Sequence, residues 1–177
     1  MRKVSLFIAM SLDGYIADSN GDVNWLEGCG DDSENIDSYS EFIKDIDTVL
    51  MGWNTYYQVA FELSPKEWIY KNLTTYVFTH RDCNSSEKIK FLNEDVCQFL
   101  KKIKSEEGKG IWICGGANLI QQLMEDNLID EYYISIIPTI LGEGISLFNK
   151  TSKERKLRLI STRKYNGIVE VIYTPRK

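Results

Sequence analysis

The sequence predicts an α/β domain, with a mainly parallel sheet, helices on both faces and an antiparallel hairpin at one edge. Three observations predict it. Apolar strand-like runs alternate with segments of helical period in the order β-α-β-α-β-α-β-α-β. Near the C-terminus, Lys156–Tyr165 and Ile168–Thr174 flank Asn166-Gly167, the strongest short hairpin signal in the chain. Between them, Ile111–Cys114 runs as a buried strand into Gly115-Gly116, and an amphipathic segment comes at once after it.

Taken in order, Lys3–Met10 is apolar enough for a strand buried on both faces. Residues 13–33 carry Gly14, Gly21, Gly28 and Gly30 and read as a long loop, of the length usually given to function. Asp32 or Ser33 is placed to cap a helix over 34–46, with Ile36, Tyr39, Ile43 and Ile46 on one face. Thr48–Met51 is a short buried strand closed by Gly52, and 54–60 a short helix. Pro65 interrupts the next stretch, and Thr75–Thr79 is β-rich. Val96, Phe99, Leu100 and Ile103 mark a helix face that Gly108 ends. A helix over 117–126 and a strand over Glu131–Ile137 complete the alternation, and Pro138, with no N–H for a ladder, marks that strand's end.

The 177 residues are expected to form one domain, 1–177, with enough chain for a sizeable core. The net charge of -5 argues against a nucleic-acid or anionic-membrane surface. Apolar runs such as Val4–Met10 and Ile134–Ile137 are too short to span a bilayer, and residues 1–10 lack a signal-peptide cleavage pattern. A cytoplasmic protein is expected. Cys29, Cys83, Cys97 and Cys114 form no C-x-x-C pair, and His80 is the only histidine, so reduced thiols and no metal site are expected. Cys114, within an apolar strand, reads as a small core residue.

Gly115-Gly116 is the best candidate for a ligand site. Two residues without Cβ let a ligand approach the backbone, and unpaired N–H groups at a helix start suit a phosphate.

Four segments in this order resemble the dihydrofolate reductase-like superfamily: Ile8–Ala17, Val49–Tyr56, Tyr76–Arg81 and Ile111–Phe148. Within it they are most similar to the branch holding the reductase domain of bacterial riboflavin biosynthesis, the C-terminal domain of the bifunctional deaminase-reductase. The most specific piece is Gly115-Gly116-Ala117 followed by Leu128–Glu131 and Pro138–Gly144. The resemblance covers most of 3–148 and implies the three-layer α/β/α fold of that superfamily. No deaminase segment precedes residue 1, so a stand-alone module is expected.

The resemblance implies NADPH as hydride donor. Ala9 and Ile16 match positions flanking the nicotinamide. Gly52, Asn54 and Thr55 match the first pyrophosphate turn, and Gly115, Gly116, Ala117, Asn118 and Leu119 the second. Thr79, His80 and Arg81 fall where the family binds the adenosine 2′-phosphate, to which the planar fork of Arg81 is suited. His80 reads either as a phosphate or adenine contact or as an exposed turn residue. Trp53 departs from the pattern, standing where the family often has arginine. It removes one phosphate donor, and either stacks on adenine or packs on the surface.

On the substrate side, Asn24-Trp25-Leu26 resembles the segment lining the substrate pocket. A carboxylate that assists protonation is expected shortly after that tryptophan. Strict spacing lands on Gly30, with Asp31 and Asp32 beside it, Asp32 also being a natural helix cap. Asp13 matches a recurring family position and either takes part in the chemistry or orders the turn before Gly14. Trp25, Phe61, Trp68 and Tyr70 are candidates to cover a flat heterocycle or to pack in the core. Ala60–Pro65 does not reproduce the Asp-x-Pro-x-Leu pattern of the riboflavin enzymes, which weakens a ribosylaminopyrimidine as substrate.

The expected function is therefore an NADPH-dependent reductase of a small heterocyclic, ribosylamino-pyrimidine or pterin-like substrate. The alternative is a nucleotide-binding or regulatory protein that kept the fold. A Rossmann dehydrogenase is disfavoured, because no G-x-G-x-x-G comes after the first strand. A homodimer is implied by the resemblance, with Glu131–Phe148 as candidate interface, whether or not it also holds a central strand.

Overall fold

The computed structural model describes residues 1–30, 36–149 and 153–176. An eight-stranded sheet runs β5-β4-β3-β6-β1-β7-β10-β9. Its strands are β1 (Val4–Ser11), β3 (Ile46–Gly52), β4 (Thr74–Phe78), β5 (Ile89–Leu92), β6 (Gly110–Gly115), β7 (Glu131–Ile137), β9 (Leu157–Tyr165) and β10 (Ile168–Pro175). The ladders from β5 through β7 are all parallel, and β10 runs against both β7 and β9. Asn166 (φ 45°) and Gly167 (φ 74°) turn that hairpin with two positive φ values, the geometry for which Asn-Gly is selected.

Alternation along the central strands divides the core between the two faces. Leu50, Ile111 and Ile113 join Val4 and Leu6 on one face, under α3 (Val96–Lys104) and α4 (Ala117–Glu125). On the other face Val49, Met51 and Trp112 meet Phe42 of α1 (Ser38–Ile43), and Trp53 and Tyr56 of α2 (Trp53–Tyr57). The Asp95 carboxylate caps α3 by accepting from Gln98 N at 2.7 Å.

Where the structure departs from the expected elements, long-range pairing is the cause. The 13–33 segment holds a short strand, β2 (Tyr15–Ala17), because Tyr15 pairs with Ser146 of β8 (Ile145–Ser146). β5 is an added four-residue strand, held by its parallel register to β4. α1 is shorter than 34–46. Asp37 caps it through Ser40 N at 2.9 Å, so Ile36 precedes the helix. Gly110 N donates to the Asp45 carbonyl at 2.7 Å, which commits Ile46 to β3 rather than to the helix face. The proposed caps Asp32 and Ser33 lie outside the described residues. α2 starts at Trp53, one residue before the expected helix, and continues as a π-helical turn over Gln58–Leu63.

Candidate cofactor and substrate site

β3 and β6 lie side by side, Met51 opposite Gly115; β3 ends on the glycine that caps α2, and β6 ends one residue before the glycine that caps α4. Gly52 caps α2 and Gly116 caps α4, neither with a side-chain bond to the first-turn N–H groups. The two caps adjoin, since a Cβ built on Gly52 would stand 3.7 Å from Gly116 N. Thr55 closes the gap. Its Oγ1 would lie 3.3 Å from a Cβ on Gly115 and 3.4 Å from one on Gly116. Gly115 has φ 143°, where a side chain is strained, and the Gly115–Gly116 peptide is cis. The result is a backbone-lined cradle at two helix starts, a chemistry suited to a phosphate.

Thr79, His80 and Arg81 come directly after β4, whose Phe78 pairs with Gly52. The Arg81 guanidinium carbon sits 4.9 Å from the Trp53 ring centroid, so this turn touches the start of α2. Thr79 Oγ1 accepts from Arg81 N at 3.1 Å and orders the turn. His80 Nδ1 and Asn93 Oδ1 are 2.6 Å apart on the surface. Asn54 lies in the first turn of α2, and Ala117, Asn118 and Leu119 in that of α4. The Asn118 side chain is engaged with Gln122, and Leu119 is buried in the core, so Leu119 offers only its backbone. Ala9 stands near the same end of β1, opposite Ser135, and half-buried Ile16 packs from β2. Every position expected to meet a cofactor thus lies at the C-terminal edge of adjacent strands β4, β3, β6 and β1, or in β2 beside it. At about 4.8 Å per strand they form a row roughly 15 Å long.

Residues 18–30 cross the same edge. Gln58 Nε2 holds Gly21 O at 2.8 Å, and Cys29 N bonds Asn166 O at 2.8 Å in the hairpin turn. Gly28 is required there, because a Cβ would clash with the Asn166 backbone and side chain. Trp25 is half-buried with Nε1 on Asp22 O at 3.2 Å, and Asn24 is exposed.

Asp13 is spent on the fold. Its carboxylate accepts from Ser11 Oγ (2.6 Å), Gly142 N (2.7 Å) and Leu141 N (3.1 Å). The Ser11 hydroxyl above all, joined by the Gly142 and Leu141 amides, holds it below the usual carboxylate range against an opposing effect of desolvation. It is an ionised acceptor joining two turns, with no proton to donate near neutrality. Asp31 and Asp32 lie outside the described residues.

Of the four candidate aromatics, three are linked through Tyr56 and Trp25 stands apart. Trp68 and Tyr70 meet edge-on at 5.2 Å in the core face under α2, and Trp68 Nε1 bonds Thr75 Oγ1. Phe61, largely exposed, reaches them through Tyr56, which contacts both Phe61 and Trp68, while Trp25 belongs to the crossing segment. A different polar group emerges beside Gly115, where Tyr39 of α1, Tyr70 and Cys114 of β6 approach one another around Trp112. Burial pushes the Cys114 thiol up to about 12, with a smaller opposing effect from its hydrogen bond to Tyr70. Burial likewise raises the Tyr70 and Tyr39 hydroxyls. No sequence spacing links these three residues. The only signal for Cys114 is its place before the glycine pair.

Among the described residues no group of three or more His, Cys, Asp or Glu is arranged to hold a metal, and no helix is long and apolar enough to cross a membrane. Of the candidate interface, β7 is a central strand between β1 and β10, while Ile140, Ile145 and Phe148 are exposed.

Residues 2–169 match the family model of the RibD C-terminal domain. The Bacillus subtilis protein YwjB, itself uncharacterized, is 40% identical over 173 residues, 97% of each chain. A structure from Shewanella sp. PV-4, given a provisional riboflavin-biosynthesis role, superposes with a TM-score of 0.84 at 24% identity, covering 99% of both chains. Dihydrofolate reductase from Enterococcus faecalis, complexed with NADP(H) and RAB-propyl, superposes with a TM-score of 0.68 at 18% identity, covering 99% of this chain and 97% of that one.

Proposed function

Because the chain belongs to the RibD C-terminal domain family, we propose that it is an NADPH-dependent reductase. Its substrate class is a small heterocyclic molecule, ribosylamino-pyrimidine or pterin-like, reduced at a C=N or C=O carbon. The observation that carries this reading is the paired, side-chain-free cradle of Gly52 and Gly115-Gly116 around Thr55. A Cβ at Gly115 or Gly116 would fill the space beside Thr55, so the residues present fit a pyrophosphate.

Bound NADPH would supply hydride from nicotinamide C4. The chain's own part is placement and exclusion of water. The backbone of Gly52–Thr55 and of Gly115–Leu119 would hold the phosphates, and Arg81, with Thr79 and His80, the 2′-phosphate. Trp53 would hold Arg81 in place from beneath. Ala9 and Ile16 would flank the ring, and Asn24 and Trp25 would face the substrate from the crossing segment. The accompanying proton is assigned to Asp31, Asp32 or an ordered water, since Asp13 is already ionised and bonded. A homodimer, formed through the exposed apolar residues after β7, belongs to the same reading, as does a cytoplasmic location.

The test is fluorescence titration with NADPH and NADH, followed by turnover assays with dihydrofolate and 5-amino-6-(5-phosphoribosylamino)uracil. Saturable NADPH binding with consumption of NADPH on one substrate is expected. Binding without turnover of any pterin or pyrimidine would favour a nucleotide-binding protein that kept the fold. No binding of either dinucleotide would overturn both.

A further inference from the structure

A cavity of about 450 Å³ lies beneath α1 at the opposite end of the sheet. Lys3, Ile46, Gly110 and Glu131, at the starts of β1, β3, β6 and β7, line it. Gly52 and Gly115 stand at the other ends of β3 and β6, on the order of 20 Å away at 3.3 Å per strand residue. The cavity therefore does not belong to the cofactor cradle.

Its upper wall is aromatic. Phe7 and Phe42 stack with centroids 4.4 Å apart, and Tyr133 lies 5.3 Å from Phe42. Its acidic side is Glu170 of β10, only 2% exposed, whose Oε2 has no hydrogen-bond partner among the described residues. Glu131 Oε1 takes Lys3 Nζ at 2.9 Å, while its Oε2 has the Tyr133 hydroxyl as a neighbour but no donor at bonding geometry. None of the cations lining the cavity donates to Glu170 Oε2, although Arg163 is within electrostatic reach of that residue. Arg163, the cross-strand neighbour of Glu170, gives Nη1 to Glu41, and Lys109 Nζ donates to Lys44 O at 2.8 Å.

A buried carboxylate oxygen without a donor, such as Glu170 Oε2, is costly, and proteins seldom leave one so. Bound next to aromatic faces, the missing partner is best supplied by an organic cation, which gains from both the carboxylate and the rings. A metal ion is the poorer fit, because no set of three ligating side chains is assembled among the described residues.

We propose that this cavity binds a small organic cation, an amine or amidinium on a flat apolar body, with Glu170 as its anchoring carboxylate. The site is independent of the dinucleotide reading and is tested without a dinucleotide. Benzamidine and its neutral analogue benzamide are titrated into the full chain by protein-observed NMR, and a crystal is grown with benzamidine. Benzamidine is expected to saturate, to bind at least tenfold more tightly than benzamide, and to place its amidinium against Glu170. Glu170→Gln is expected to abolish that preference while the circular dichroism spectrum stays unchanged. Equal binding of the two probes, benzamidine seated elsewhere, or water alone on Glu170 at saturating benzamidine would overturn the proposal. If Glu170→Gln does not fold, the wild-type titration and crystal still decide it.

Discussion

The guanidinium of Arg81 lies face-on over Trp53, 4.9 Å from the ring centroid, joining the turn after β4 to the first residue of α2. Trp53 stands where the sequence resemblance leads one to expect a phosphate-binding arginine. Arg81, in the turn after neighbouring β4, brings a positive charge onto that indole. Such a contact at an exposed site is worth about 0.5–1 kcal/mol.

Removing Arg81 should therefore weaken NADPH selectively. A charge-assisted bond to phosphate contributes about 1.5–3 kcal/mol, so Arg81→Ala is expected to raise the NADPH Kd by roughly tenfold to a hundredfold. NADH, which lacks the 2′-phosphate, should change by less than about threefold on the same footing. Trp53→Ala should reproduce a fraction of the NADPH loss. Equal losses for both dinucleotides in parallel titrations would remove Arg81 from its assigned role.

Gly116 separates fold from ligand. Its φ of -89° is open to any residue, and a new Cβ would meet Thr55 Oγ1 at 3.4 Å, a contact that a small shift relieves. Gly116→Ala should keep most of its stability, with Tm within about 4 °C of the parent, the change expected for about 1 kcal/mol in a chain of this size. It should nevertheless lose NADPH binding, because the methyl group occupies the cradle. Gly115→Ala, at φ 143°, should instead destabilise the fold by about 1–3 kcal/mol. Differential scanning calorimetry beside a binding titration distinguishes the two behaviours. Unimpaired NADPH binding by Gly116→Ala would show that the phosphates lie elsewhere.

These residues also mark how far the sequence is legible. β7 can be read with its observed bounds because Pro138 ends it, and the hairpin because Asn166-Gly167 can adopt two positive φ values. That the candidate cofactor positions fall in one row is foreseeable because each piece is local, a strand end followed by a helix start or turn. β2, β5 and β8 are not, since strands of two to four residues exist only through register with distant partners, as Tyr15 with Ser146. The Tyr39, Tyr70 and Cys114 group comes from three separate segments, so no window of sequence contains it. Asp13 is ambiguous for the same reason, its amide donors Leu141 and Gly142 lying 128 and 129 residues away.

Asp13 should register in acid stability rather than in proton delivery. Its pKa in the fold is lowered from 3.8, so its stabilising effect is complete well above that value and is lost as pH falls through the lower folded one. Asp13→Asn should lower Tm at neutral pH and flatten the acid limb of the Tm–pH curve. The acidic limb of any turnover profile should stay where it is. A profile that loses that limb in Asp13→Asn would make Asp13 a participant in the chemistry.

The exposed residues after β7 provide a test of assembly. Ile140 is 71% exposed, and Ile145 and Phe148 stand on the same segment. If they meet a second copy, Ile140→Asp should convert a dimer into a monomer without lowering Tm at high dilution. Sedimentation velocity on the parent at micromolar concentration decides the premise. A parent that sediments as a monomer removes the dimer from the proposed function.

Cys114 is expected to be chemically silent despite its place beside the candidate cradle. The thiolate is the nucleophile, and although Cys114 is only half-buried as a residue, desolvation of its sulfur pushes this thiol from 9.0 up to about 12, leaving almost none ionised at neutral pH. Iodoacetamide on the folded protein should modify exposed Cys29 and spare Cys114, as peptide mapping would report. The same shift has a stability consequence of definite sign. Above pH 9.0 the unfolded thiol loses its proton while the folded one keeps it, so stability falls with rising pH up to about 12. The slope approaches about 1.4 kcal/mol per pH unit for this group, and Cys114→Ala should remove that share of the alkaline limb. Rapid native-state alkylation of Cys114 would mean that the thiol is open to solvent and ionised, and would place a reactive nucleophile next to Gly115.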